Sequence, residues 1–195
     1  MLFLKTVDKK HIDLLIKKWG TGVPDYLLFM ERLGIITKKN RVYIANFPIS
    51  FIGNLLEWLI GKFLSEELHL ETLINVRLKG FENGGDIDII SRIETKLVMI
   101  ECKESPPNNV PFTELKHICE RVNTFKPDIF IFAIDTTLSI KRNITDNLEK
   151  ICKTNFIKLR EGVYKNSATF FVVSSKRDLL QNISFAIIEG TNELR

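Results

Sequence analysis

Two hydrophobic rhythms divide the chain. In "DKKHIDLLIKKWG", Ile12, Leu15, Ile16 and Trp19 recur at helical spacing until a glycine stops the run. Beyond the turn "TGVP", the stretch "DYLLFMERLG" predicts a second helix, again ended by glycine. "IITKKNRVYIANF" predicts two short strands about a polar turn at Lys38–Asn40. Two helices and a hairpin over residues 1–47 suggest a winged-helix-like N-terminal unit. Such a unit either reads DNA or serves packing and dimerisation. Two helices are fewer than a full winged helix carries, which favours packing.

"FPIS" at 47–50 marks a boundary, and 51–195 reads as a second domain. It opens with a long helix, "FIGNLLEWLIGKFLSEELH", whose Leu56, Leu59, Ile60, Phe63 and Leu64 form a broad apolar face. "TLINVRLKG" alternates as a strand, "ENGG" is a turn signal, and "DIDIIS" and "KLVMIECKE" predict strands joined through "RIET". "FTELKHICERVNTF" is amphipathic, and the unbroken apolar run in "DIFIFAID" predicts a strand buried on both faces. A helix near 144–153, a strand near 165–174 and a helix near 176–188 complete the reading. The order from residue 51 is α-β-β-β-α-β with an extension, an α/β sandwich around a mixed central sheet.

Composition narrows the class. The chain has 195 residues, 45% of them hydrophobic, enough for one substantial core and a small appended unit. No apolar run approaches the ~20 residues that cross a bilayer. "MLFLKTVDKKHID" is too short and too charged for a signal peptide. Cys102, Cys119 and Cys152 are odd in number and lack metal-ligand spacing, which argues against a disulfide framework or zinc site. The expectation is a reduced, cytoplasmic protein without a membrane partner. A net charge of +4 permits an anionic partner without requiring one.

The chemistry concentrates in "GGDIDIISRIETKLVMIECK" (84–103). Side chains alternate across a strand, so Glu101 and Lys103 project together while Cys102 points away with Val98 and Ile100. Asp86 and Asp88 share a face of their own strand by the same rule. Pairing through the turn at 92–96 would bring Asp88 and Glu101 together. Two hard oxygen donors suit a magnesium ion, and a neighbouring lysine can orient water and offset charge on phosphorus. The plain alternative is a solvated strand end with the aspartates belonging to a turn.

These residues carry a resemblance. The segment 51–135 resembles the PD-(D/E)xK, restriction-endonuclease-like nuclease superfamily, with "GGDIDII" as its acidic motif and "IECK" as its E-x-K motif. "GNLLEWLIGKFL", "DIDII" and "LVMIECKE" are also similar to the nuclease domain of CARF-fused CRISPR-associated effectors, here without room for a CARF domain upstream. Gly85 stands where the superfamily name has proline, which leaves open whether Asp86 or Asp88 is the principal ligand. The resemblance implies a restriction-endonuclease-like core using Mg²⁺ or Mn²⁺. Asp88 and Glu101 would be metal ligands, joined by the main-chain carbonyl of Cys102, with Lys103 as the catalytic lysine. Asp86 would lie behind the ligands or substitute for one, and Glu57 on the first helix would assist the metal directly or through water. Lys116 and His117 are candidates for phosphate contact; a solvated helix face explains them equally well.

The leading functional expectation is a metal-dependent endonuclease acting on DNA, with RNA left open. The rival is an inactive module of the same fold that binds nucleic acid or protein, and a small-molecule phosphoesterase is third. Cutting both strands of a duplex needs two sites, which implies a homodimer. Leu15, Trp19, Leu27 and Leu28 exceed what so small an N-terminal unit can bury, which makes that unit the expected contact.

Overall fold

The computed structural model describes residues 6–32, 34–46, 55–79, 86–166 and 169–194. They form two compact units, Met1–Leu55 and Leu56–Arg195. The first contains β1 (Thr6–Val7), α1 (Lys9–Trp19), α2 (Val23–Arg32), β2 (Ile36–Lys39) and β3 (Val42–Ala45). Asp8 caps α1, its side chain accepting the His11 amide at 3.0 Å. The antiparallel sheet runs β1-β3-β2, so a strand absent from the sequence reading completes the hairpin. The turn sits later than expected. Asn40 and Arg41 both adopt positive φ, which leaves Lys38 and Lys39 inside β2.

Val23, Leu27 and Ile36 make the core of this unit, with Ile12, Leu15 and Ile16 packed against them. Leu15 and Leu27 are therefore used internally, while Leu28 is exposed with Leu14, Tyr26 and Phe29. The side chain of Trp19 lies outside the described residues.

The second unit is a mixed α/β fold. Its elements are α3 (Leu55–Glu66), β4 (Glu71–Arg77), β5 (Asp86–Ile93), β6 (Lys96–Lys103), α4 (Phe112–Phe125), β7 (Ile129–Ile134), α5 (Asp146–Cys152), β8 (Ile157–Arg160), β9 (Val163–Lys165), β10 (Phe170–Ser174) and α6 (Leu179–Glu193). The sheet order is β4-β5-β6-β7-β10-β9-β8. Strands β6, β7 and β10 run parallel at the centre, and both flanks are antiparallel. All six residues of β7 are buried, as its unbroken apolar run requires. One face of the sheet packs Ile89, Val98, Ile100, Ile131 and Phe171 with Leu56, Ile60 and Leu64 of α3 and Ile183 and Ile187 of α6. The other packs Met99, Phe130, Phe132 and Val172 with Leu115 and Ile118 of α4 and Leu148 of α5.

Three expectations are corrected here. The strand near 165–174 is two strands, β9 and β10, and β8 precedes them. The final helix starts at Leu179 because Asp178 caps it, accepting the Gln181 amide at 2.9 Å. Cys119 and Cys152 form a disulfide across 33 residues, against the expectation of no such bond. Their spacing along the chain held no clue, because the bond depends on α4 and α5 packing side by side. Among the described residues no helix is long and apolar enough to cross a membrane.

The seating of α3 depends on one glycine. A Cβ at Gly61 would collide with Cγ2 of Ile74 on β4. Gly61→Val is therefore expected to lower stability by about 2 kcal/mol, in line with overpacking elsewhere. Chemical denaturation read by circular dichroism checks it; an unchanged midpoint would show that α3 can lift away freely.

Candidate metal and phosphate site

Strand β5 breaks its own alternation at Asp88. Ile89 packs on the α3 face of the sheet, yet Ile87, two residues earlier, packs on the α4 face. The partner strand does the same across Asn75, which holds a positive φ between Ile74 and Val76. The β4–β5 register pairs Ile74 with Ile89 and Val76 with Ile87, so Asn75 and Asp88 stand opposite one another at the irregularity. The β5–β6 ladder ends nearby at Ile89 and Ile100. Beyond it the Asp88 carboxylate replaces a backbone carbonyl, accepting the Cys102 amide at 2.7 Å.

The expected arrangement of β6 is present. Cys102 packs with Val98 and Ile100 on the α3 side, while Glu101 and Lys103 meet side chains of α4. Lys103 Nζ lies 2.7 Å from Oε1 of Glu114. Arg121 donates to Oε2 of Glu101, with both side chains largely buried. Glu114 and Arg121 were missed by the sequence reading. Their seven-residue spacing, two helical turns, puts them on one face and was the available signal.

The carboxylates crowd one another. Burial first, then the Asp88 charge, pushes Glu101 up to about 7 despite Arg121. Glu57, in the first turn of α3, is also pushed up to about 7, by burial and then by Asp88 and Glu104. Burial raises Asp88 as well, opposed by the Cys102 amide and by Arg121 and Lys103. The Cys102 thiol is driven up by burial and the surrounding carboxylates, which suits a packing residue rather than a nucleophile. Oε2 of Glu57 is buried and, among the described residues, has no hydrogen-bond partner.

The other sequence candidates stand apart. Asp86 is exposed and ion-paired at 2.7 Å to Arg77, its register partner on β4, which holds its carboxyl below the usual range. Lys116 and His117 are exposed on α4, and Lys116 lies 3.8 Å from Glu120. Gly84 and Gly85 fall outside the described residues.

A divalent cation matches this donor set in part. Asp88, Glu101 and Glu57 offer hard oxygens, and the buried Glu57 oxygen has no hydrogen-bond partner among the described residues. Among the described residues, Glu114 adds negative charge at Asp88 and Glu101, where Arg121 opposes it, and Glu104 adds it at Glu57. Among the described residues, however, no three His, Cys, Asp or Glu side chains converge closely enough to hold an ion as they stand. The residues fit in charge and chemistry, and Arg121 occupies the oxygen of Glu101 that a cation would share.

Glu57 provides a pH test that needs no metal. Its raised value means that ionising it in the fold opposes stability, increasingly as pH rises from about 4.5 to about 7 and constantly above that. Glu57→Gln should raise the melting temperature at pH 8 by about 2–4 °C, allowing for solvent screening, and leave it unchanged at pH 5. Thermal melts at both values check this. Equal shifts at the two pH values would remove charge as the cause.

No family model matches the chain, and no curated protein matches it. Among solved structures the chain is similar to protein VC1899 from Vibrio cholerae, at 13% identity and a TM-score of 0.48. The similarity covers 95% of this chain and 47% of that one, so this chain spans about half the length of its structural relative.

Proposed function

We propose that the chain is a metal-dependent nuclease of the PD-(D/E)xK, restriction-endonuclease-like class, hydrolysing phosphodiester bonds in DNA. The element order α3-β4-β5-β6-α4-β7 supports the fold part of this reading. The observation that carries the function is the gathering of Asp88, Glu101 and Lys103 where the β5–β6 ladder ends, with the unsatisfied Glu57 oxygen contributing to the same negative field.

Asp88, Glu101 and the main-chain carbonyl of Cys102 would hold Mg²⁺ or Mn²⁺, with Glu57 assisting. The cation would supply Lewis acidity at a phosphoryl oxygen. In hydrolysis a water oxygen bonds to phosphorus, the bond to one sugar oxygen breaks, and that oxygen leaves with a proton. Lys103 is suited to offset the negative charge that develops on phosphorus, and Glu114 keeps its ammonium aimed at the site. Asp86, tied to Arg77, supports the entrance to β5. Lys116 and His117, exposed on α4, are available to touch phosphate further along the strand.

One observation favours a second reading. Lys103 and Glu101 are both satisfied by α4, as in a purely structural polar cluster, which suits an inactive binding module of this fold. Purified protein incubated with plasmid and with single-stranded circles separates the two. Cleavage in Mg²⁺ or Mn²⁺ that EDTA stops supports the nuclease, and folded protein that retards DNA without cutting it supports the module.

Duplex cleavage further implies a homodimer. With Leu15 and Leu27 used in its own core, the N-terminal unit offers Leu28 together with Leu14, Tyr26 and Phe29 as the contact. Light scattering is expected to give twice the chain mass at micromolar concentration, and deletion of residues 1–47 to weaken association. A monomeric full chain would contradict this and favour nicking or single-strand cleavage.

A further inference from the structure

The geometry points to Arg121 as a positioning residue that acts as resident counter-ion of the site, holding Glu101 until a divalent cation displaces it. This rests on the metal-dependent reading above. Arg121 reaches Glu101 from α4 across the sheet face, and both side chains are among the least exposed charged groups here, at 13% and 16%. An ion pair so shielded is strong in Coulomb terms, yet it forms only because neither charge can be left alone in that setting.

The guanidinium therefore has two opposite effects on a metal. It holds the Glu101 carboxylate in place against α4, which prepares a ligand. It also competes for Oε2 of Glu101, so a cation must release it to gain that oxygen. Lys103 is already paired with Glu114, two turns earlier on the same face of α4. Once released, the guanidinium remains on the wall of the site with its donors free, the fork geometry that recognises a phosphate.

Calorimetric titration with Mn²⁺ alone, without substrate, tests the assignment on the full chain. Arg121→Gln should bind Mn²⁺ about tenfold more tightly than wild type, one unit in log affinity. Arg121→Lys, which keeps the charge but loses the fork, should fall between them, and it serves as the readout if the glutamine variant does not fold. Asp88→Asn should lose binding. Unchanged or weaker Mn²⁺ affinity in both Arg121 variants, with Asp88→Asn still defective, would overturn the role of Arg121 and leave the metal reading standing. Failure of wild type itself to bind Mn²⁺ would overturn both.

Discussion

Lys103→Ala is expected to lower DNA cleavage at least about a hundredfold, the usual loss when one group that stabilises developing charge is removed. Its side chain is about a quarter exposed at a strand end, so the sheet should survive its loss. The consequence for Glu114 is instructive, because that carboxylate then loses its 2.7 Å partner beside an already negative cluster. Lys103→Ala should therefore melt somewhat lower than wild type while keeping its circular dichroism spectrum. Glu101→Gln, which removes the charge and keeps the shape, is the better partner experiment than alanine; alanine would strand the buried Arg121 guanidinium. Normal cutting by both Lys103→Ala and Glu101→Gln would end the nuclease reading. Collapse of both folds would show that the polar cluster is chiefly structural.

Mn²⁺ at about a hundred times its dissociation constant is expected to stabilise the Leu56–Arg195 unit by about 2.7 kcal/mol, because it binds the folded state alone. For a chain of this size that corresponds to a rise in melting temperature of about 5–10 °C. The cation would offset the burial and the Asp88 charge that push Glu101 and Glu57 up to about 7, so the stabilisation should be larger at pH 8 than at pH 5, where protonated carboxyls make poor ligands. Asp88→Ala should abolish the rise. It should also cost stability without metal, since the Cys102 amide loses its acceptor. A rise of equal size in wild type and Asp88→Ala would remove Asp88 from the ligand set.

The element order of the second unit was legible because its strands and helices differ sharply in period. β7 in particular declares its double burial through six successive apolar residues. The convergence of Asp88 with Glu101 was legible from the turn between β5 and β6. That Asp86 pairs with Arg77 while Asp88 accepts the Cys102 amide was not, since it depends on Arg77 lying opposite Asp86 and on the irregularity at Asn75. Arg121 and Glu114 were hidden for a similar reason: amphipathic spacing shows that α4 has a polar face without showing what that face meets. Cys119–Cys152 is likewise a tertiary fact, and β8, whose residues are half-buried or exposed, has too little apolar pattern to announce itself.

The position of these groups along the chain bears on the order in which the molecule assembles. β5 and β6 are joined by a turn at Glu94 and Thr95, with Glu94 in the left-handed region, so their pairing closes a very short loop. Contacts of that kind form early, whereas the parallel pairing of β6 with β7 must wait for the α4 crossover. The carboxylates of Asp88 and Glu101 thus meet on a nascent hairpin before α4 delivers Arg121 to relieve them. Refolding followed by stopped-flow fluorescence should accordingly quicken as the pH falls into the ordinary carboxylate range, where those two side chains can enter the hairpin as neutral acids.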